Sequence, residues 1–428
     1  MPETRGKKDV KEAQKNLVLS STSTIWRNKL ETELNSQARM SIINLVNDLI
    51  ELACSLRASD IHIDPQADLV RIRLRIDGAL QDEMPFPKLI HSEVISRIKI
   101  LAGLRTDEHQ AAQDGRFRIL LESGQVVDVR VSIAPTYHGE NAALRLLAEE
   151  AEEFTLDSLG FSEDNKQKII HAVRHPYGMI LVTGPTGSGK TTTLYTLIKL
   201  LNTLDTSIIT IEDPIEYSIG GINQIGVNSR TGLTFANGLR SILRQDPNII
   251  MVGEIRDAET AGLAVNSALT GHLVLSTIHT SDAATTLPRL LDLKIEPYLI
   301  ASTVNIAIGQ RLVRKICSHC KQELKISATE FKSLTDVIPA ATLGKQTTFY
   351  KGKGCDQCNQ TGYRGRVGIH EVIILDNLVR EAILRKATST EIKQIAKQQG
   401  MVAMIEDGFF KARDGITTIE EILRTLHE

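Results

Sequence analysis

The alternation of apolar and polar residues divides the chain into segments of different kinds. From Ser41, SIINLVNDLIELACSLR places apolar residues three and four apart, the spacing of one helix face. DIHIDP and LVRIRLRI instead alternate, and the second ends at Asp77–Gly78, a hairpin turn pair, so both predict antiparallel strands. Another helical stretch, LIHSEVISRIKILAGL, precedes three more strand-like runs, GRFRILLES, VVDVRVSIAP and ENAALRLLA. Residues 37–150 therefore read as a small α+β domain. Residues 1–36, Lys-rich and then Ser/Thr-rich, read as a polar arm or linker with room for a short helix but nothing to build a core.

Past the acidic stretch EEAEEFTLDSLG and a helix through KQKIIHAVRH, taken as a linker over 151–176, the pattern changes. MILVT, SIITI, NIIMV and LVLST are short, continuous apolar runs without alternation, as in strands buried on both faces. Helical stretches separate them, which predicts a parallel α/β sheet over 177–312. Residues 313–368 carry two cysteine pairs, and 369–428 read as amphipathic helices.

Composition adds exclusions. Hydrophobic residues make up 42% of the 428, ample for several cores, and aromatics only 4%, so those cores are aliphatic. Fifty Lys and Arg against 52 Asp and Glu, net −2, exclude a surface built to coat nucleic acid, and no basic run with interleaved aromatics appears. No stretch approaches the ~20 apolar residues that span a bilayer. The charged N-terminus lacks a secretory signal. The expectation is a cytoplasmic protein whose membrane association is peripheral.

The chemistry concentrates in three places. Gly184-Pro185-Thr186-Gly187-Ser188-Gly189-Lys190-Thr191 matches GxxxxGK[ST], directly after a buried strand and before the helical TTTLYTLIKLL. Its glycines let consecutive N–H groups face phosphates at a helix N-terminus, Lys190 reaches the β/γ-phosphates and Thr191 holds Mg²⁺. This predicts nucleoside triphosphate binding. Such a loop needs acids at neighbouring strand ends. NIIMVGEIRD offers Glu254, and SIITIEDPIEY offers Glu212, Asp213 and Glu216. TGHLVLSTIHT brackets a buried strand with His272 and His279, placed to sense phosphate, to contact a neighbouring subunit or simply to bond at a strand end.

The cysteines form the pairs Cys317-Ser-His-Cys320 and Cys355-Asp-Gln-Cys358. Four thiolates at knuckle spacing predict a closed, structural zinc site; a redox dithiol, or His319 in place of one cysteine, are the rival readings. Cys54, on an apolar helix face, reads as a core residue.

The ordered set GPTGSGKTTT, ITIEDPIEY, LRSILRQDPNIIMVGEIRD, TGHLVLSTIHT, QRLVRKIC and KGCDQCNQTGYRGRVGIHE resembles the type II secretion and type IV pilus assembly ATPases. ASDIHIDP, RIDG and QDGR upstream and GITTIEEILR at the end fit as well, so the resemblance runs from about residue 40 to the end. It implies a RecA-like P-loop core with an N-terminal PAS-like α+β domain, a zinc-knuckle subdomain and a small C-terminal helical domain, assembled as a homo-hexameric ring. It also implies that ATP and Mg²⁺ are bound through Gly184 to Thr192, that Glu254 is the Walker B acid and Mg²⁺ partner, and that Glu212 and Glu216 are Asp-box acids. One of these positions the attacking water, and Glu216 is preferred. His272 and His279 match the His box. Arg116 and Arg130 match the N-terminal arginines that reach the phosphates when domains close. An inner-membrane platform protein is the implied partner.

The chain departs from the family in two respects. Ala112 stands where the family usually has Pro, and the extra N-terminal docking domain of many members is not expected here. Retraction motors lack the tetracysteine knuckles, so Cys317 to Cys358 favour the assembly branch. The leading expectation is a motor that drives assembly of a pilus or pseudopilus. The alternatives are a retraction, conjugation or DNA-translocating ATPase, and a nucleotide-gated scaffold without useful turnover.

Overall fold

A computed structural model describes residues 23–35, 40–148, 154–327, 331–332, 334, 340–343 and 348–427. It divides into two compact units, Met1–Glu152 with Gly354–Gln360, and Glu153–Lys353 with Thr361–Glu428.

In the first unit, helices α1 (residues 23–35) and α2 (Ile42–Ser55) precede β1 (Ala58–Pro65), β2 (Leu69–Ile76), β3 (Ala79–Asp82) and β4 (Phe86–Pro87). Helix α3 (His91–Leu101), β5 (Gln113–Leu120), β6 (Val126–Thr136) and β7 (Gly139–Ala148) follow. The sheet runs β3-β2-β1-β7-β6-β5 and every pairing is antiparallel. One face buries Ile61, Ile63, Ile72, Leu74, Val129 and Val131 against the helices, and the other is polar, as the alternation predicts. Cys54 packs against this core, where burial pushes its thiol up to about 12.

The polar-arm reading needs a correction. Residues 23–35 are helical, and Trp26 (4% exposed) and Leu30 (1%) are buried in the domain core. Two apolar residues four apart make one stripe on a single helix, too sparse a signal against the surrounding Ser and Thr. Residues 1–22 of that arm lie outside the described residues.

The second unit contains α4 (Glu163–Val173), β8 (Gly178–Thr183), α5 (Lys190–Leu201), β9 (Ile208–Glu212), β10 (Asn223–Gly226) and α6 (Phe235–Ile242). Then come β11 (Ile249–Val252), α7 (Ala258–Leu269), β12 (Leu273–Ile278), α8 (Ala283–Asp292), α9 (Pro297–Thr303) and β13 (Val304–Ile316). The sheet order is β10-β9-β11-β12-β8-β13-β16, with β16 spanning Tyr363–Ile374. All pairs are parallel except β13 with β16. Strands β8, β9, β11 and β12 are buried at every position, which is why they lack alternation. Outside the sheet, β14 (Lys321–Lys325) pairs with β15 (Thr348–Gly352). The chain closes with α10 (Asn377–Leu384), α11 (Ser389–Gln398), α12 (Met404–Arg413) and α13 (Ile419–His427).

The sheet crosses two borders drawn from the motifs. β13 passes through residue 312 without a break, and β16 runs through residue 368 to Ile374, so Ile369–Ile374 are strand and the helices begin at Asn377. The two strands pair over most of their length, from Ile306–Ile374 to Ile316–Tyr363.

Candidate functional site

Parallel order brings the C-terminal ends of β8, β9, β11 and β12 to one edge of the sheet, where ligands of open α/β folds bind. The GxxxxGKT loop leaves β8 there and enters α5, whose first residue is Lys190. Gly184 has φ +148°, and a Cβ on it would meet the Gln310 carbonyl at 2.3 Å and Ser188 Oγ at 2.6 Å. Gly189 caps α5 at φ +87°, a conformation L side chains avoid. Lys190 Nζ donates to the carbonyls of Gly184 (2.9 Å) and Pro185 (3.0 Å). Burial lowers its pKa, and the nearby Glu254 charge works the other way.

Glu254 follows β11 across Gly253 and is 8% exposed. Its Oε2 meets Arg256 Nε at 2.6 Å and His279 Nε2 at 3.0 Å. An acid at this strand end, flanked by a histidine and in electrostatic reach of Lys190, offers a carboxylate that could hold a cation. His279 and His272 part company: a six-residue strand separates them by about 20 Å. His272 sits at the far end of β12, with Nδ1 2.9 Å from the Ser267 carbonyl and its own carbonyl accepting the Gly178 N–H.

The two Asp-box acids also differ. Glu212 ends β9 fully buried and accepts bonds from Thr210 Oγ1 (2.6 Å), Gln224 Nε2 (3.1 Å) and the Tyr195 hydroxyl. Burial raises its pKa against those bonds, and burial together with Glu212 raises that of Tyr195. Glu216 is half-buried on the loop beyond, with its backbone N–H 3.4 Å from the Tyr195 oxygen.

Two residues that pattern reading missed complete the loop's frame. Gln310 on β13, 2% exposed, donates from Nε2 to the Ser188 carbonyl (2.7 Å) and accepts at Oε1 from Thr193 Oγ1 (2.7 Å), tying the phosphate loop to α5. Thr183, the last residue of β8, accepts the Thr280 N–H (3.1 Å) and has its hydroxyl 2.8 Å from the Ile278 carbonyl. Gln310 lies in the quoted QRLVRKIC run, but nothing local marks a strand glutamine as a partner for a loop 122 positions earlier.

Arg116 and Arg130 belong to the first unit, where they stand directly opposite one another on β5 and β6. Arg145 is the next residue of the row on β7, and it pairs with Asp60 at 3.0 Å. Like charges placed directly opposite in a sheet are destabilising, and Asp60 offsets part of that charge at Arg145.

The sulfur atoms of Cys317, Cys320, Cys355 and Cys358 lie within 4.8 Å of one another. Cys317 N–H donates to the Gly362 carbonyl (2.9 Å) and Lys353 N–H to the Cys320 carbonyl (3.0 Å), which pins both flanks of the second pair. Cys355 Sγ and Cys358 Sγ are 3.7 Å apart. The edge of a tetrahedron with Zn–S bonds of ~2.3 Å is about 3.8 Å, so these four residues fit a closed zinc site. Among the described residues, no helix is long and apolar enough to cross a membrane.

A family described as Type II/IV secretion system protein matches residues 35–424. A type II secretion system protein E of Xanthomonas campestris is 47% identical over 389 residues, covering 90% of this chain and 68% of that protein. A type IV pilus assembly ATPase, PilB, of Thermus thermophilus is 46% identical over 378 residues, 88% of this chain; the chain spans only 42% of that protein's length. Among solved structures, the pilus retraction motor PilT with bound ADP aligns at TM-score 0.60 and 27% identity, covering 88% of this chain and 96% of that one. The DotB ATPase of Legionella pneumophila aligns at TM-score 0.66 and 24% identity, covering 90% and 96%, a likeness of fold alone.

Proposed function

Because the chain belongs to the Type II/IV secretion system protein family, we propose that it is an ATPase motor working as a homo-hexamer at the inner face of the cytoplasmic membrane. There it drives assembly of a type IV pilus or type II pseudopilus through an inner-membrane platform protein. The observation that carries the reading is the convergence of the phosphate loop, Glu254 and His279 at one sheet edge. Relatives named for secretion and pilus assembly are 42–47% identical, against 27% for the retraction motor, which favours assembly.

In this reading Gly184 to Thr192 cradle the ATP phosphates, and Lys190 leaves its loop carbonyls for the β/γ-phosphate oxygens. Thr191 and Glu254 would hold Mg²⁺, which neutralises charge on those oxygens when bound. Water attacks the γ-phosphorus and gives its proton to a carboxylate, the bond to the β,γ-bridging oxygen breaks, and ADP leaves with that electron pair. Glu216 suits the base: it is half-exposed on its loop, whereas Glu212 is committed to Tyr195, Thr210 and Gln224. Arg116 and Arg130 stabilise charge in the transition state. Zinc on the four cysteines is structural.

The test is steady-state ATP hydrolysis by the full chain. The parent should turn over ATP, and Glu254→Gln should bind ATP within a few-fold of parent while hydrolysis falls at least ~10²-fold, the scale of one lost electrostatic group. A parent that binds ATP without turning it over would replace the motor with a nucleotide-gated scaffold.

A further inference from the structure

The segment after β12 carries His279 to Glu254, and it is held from both sides. On one side stands Thr183, next to the phosphate loop. On the other is a group from the C-terminal quarter of the chain that the site described above does not use. Asp282 caps α8, accepting the Thr285 N–H at Oδ1 (2.8 Å), and its Oδ2 accepts from Lys393 Nζ on α11 (2.9 Å). Lys393 also lies 3.5 Å from Glu371 Oε2 on β16. Glu371, 1% exposed, accepts the Ala283 N–H at Oε1 (2.9 Å) and the Met404 N–H of α12 at Oε2 (3.3 Å). Gly309 leaves room for this reach, since a Cβ there would sit 2.9 Å from the Ala283 nitrogen and 3.0 Å from Glu371 Cγ.

The chemistry of the group is that of a clamp. Two carboxylates accept the first N–H groups of α8 and α12, where anions are favoured, and the Lys393 ammonium bridges the pair. Burial alone would lower the Lys393 pKa and raise that of Asp282; their mutual contact, with Glu371 and Thr285, reverses both. Only Ser281 stands between Asp282 and Thr280, and His279 comes next. A turn of four residues therefore joins the Lys393 contact to the Glu254 contact, and Thr280 within it is bonded to Thr183 and Thr286.

We propose that Lys393 is a positioning residue for hydrolysis: with Glu371 it fixes Asp282 and so sets His279 against Glu254, making the helical tail part of the catalytic frame. This rests on the ATPase reading above. It separates Lys393 from the residues that bind nucleotide, because none of its contacts touches the phosphate loop.

The experiment compares kcat, KM and ATP affinity of the full chain with those of Lys393→Met, Lys393→Arg, Asp282→Asn and the double variant Lys393→Met/Asp282→Asn. A displaced catalytic group costs up to ~10²-fold in rate. Lys393→Met should lose about tenfold in kcat with ATP affinity within about twofold, and Lys393→Arg should recover most of the rate. Asp282→Asn keeps the cap and loses the charge, so it should match Lys393→Met, and the double variant should be no slower than either. Parent kcat in Lys393→Met would overturn the proposal, as would parallel loss of affinity and rate that arginine fails to rescue, the signature of a merely structural residue. A parent chain without turnover would sink the ATPase reading itself.

Discussion

Replacing Gln310 by Met keeps the length of the side chain but removes both ends of its bridge. The Ser188 carbonyl then loses the donor at 2.7 Å and the Thr193 hydroxyl loses its acceptor at 2.7 Å. Ser188 and Thr193 are both buried, so each orphaned group costs about 1–3 kcal/mol rather than the smaller net value of an exposed bond. Part of the total is spread over the whole fold, and about 2–3 kcal/mol should fall on the loop and the first turn of α5. At a factor of ten per 1.4 kcal/mol, apparent ATP affinity should drop roughly 30- to 150-fold. Thr193→Val removes one bond of the two and should lose about tenfold. Titration with a fluorescent ATP analogue reads both variants directly. Gln310→Met binding ATP within twofold of the parent would refute the reasoning, because the bridge would then hold nothing the nucleotide needs.

Metal analysis of protein purified without chelator should find about one zinc per chain, and Cys320→Ser should lose it while ATP affinity stays near parent; a metal-free parent with four freely reactive thiols would overturn the site. Glu421 on α13 is held down to about 2: burial opposes this, and bonds from Arg314 and Arg424 prevail. Its folded pKa lies below the ordinary 4.5, so its contribution is complete above pH 4.5 and fades as pH falls toward 2. Hydrogen-exchange protection of α13, corrected for intrinsic rates, should decline over that window in the parent and show no such step in Glu421→Gln. Arg116→Ala and Arg130→Ala should each slow hydrolysis at saturating ATP, by up to ~10³-fold for a transition-state arginine, without abolishing ATP binding; unchanged rates would remove the arginines from the mechanism.

Much of this was legible because the signals are local. β8, β9, β11 and β12 announced themselves as unbroken apolar runs, and the phosphate loop and both cysteine pairs are spelled out in consecutive residues. What stayed hidden depends on partners far apart in the chain. Gln310, Tyr195, Glu371 and Lys393 are ordinary strand or helix residues until folding sets them beside Ser188, Glu212, Ala283 and Asp282. The two histidines show the same limit from the other side. They look equivalent around LVLSTI, yet strand direction sends only His279 to the edge where the phosphate loop lies.

The placement of β13 beside β8 has a consequence for synthesis on the ribosome. The phosphate loop emerges early, but the strand that completes one side of β8 and delivers Gln310 comes 122 positions after Ser188. At ~5–20 residues per second, roughly 6–24 s pass between them. Throughout that interval the nascent loop has neither β13 nor the Gln310 bridge, while that side of β8 exposes a bare apolar edge that invites wrong pairing. On the ATPase reading, a chain arrested before residue 310 should therefore bind ATP far more weakly than the full chain and be prone to aggregate.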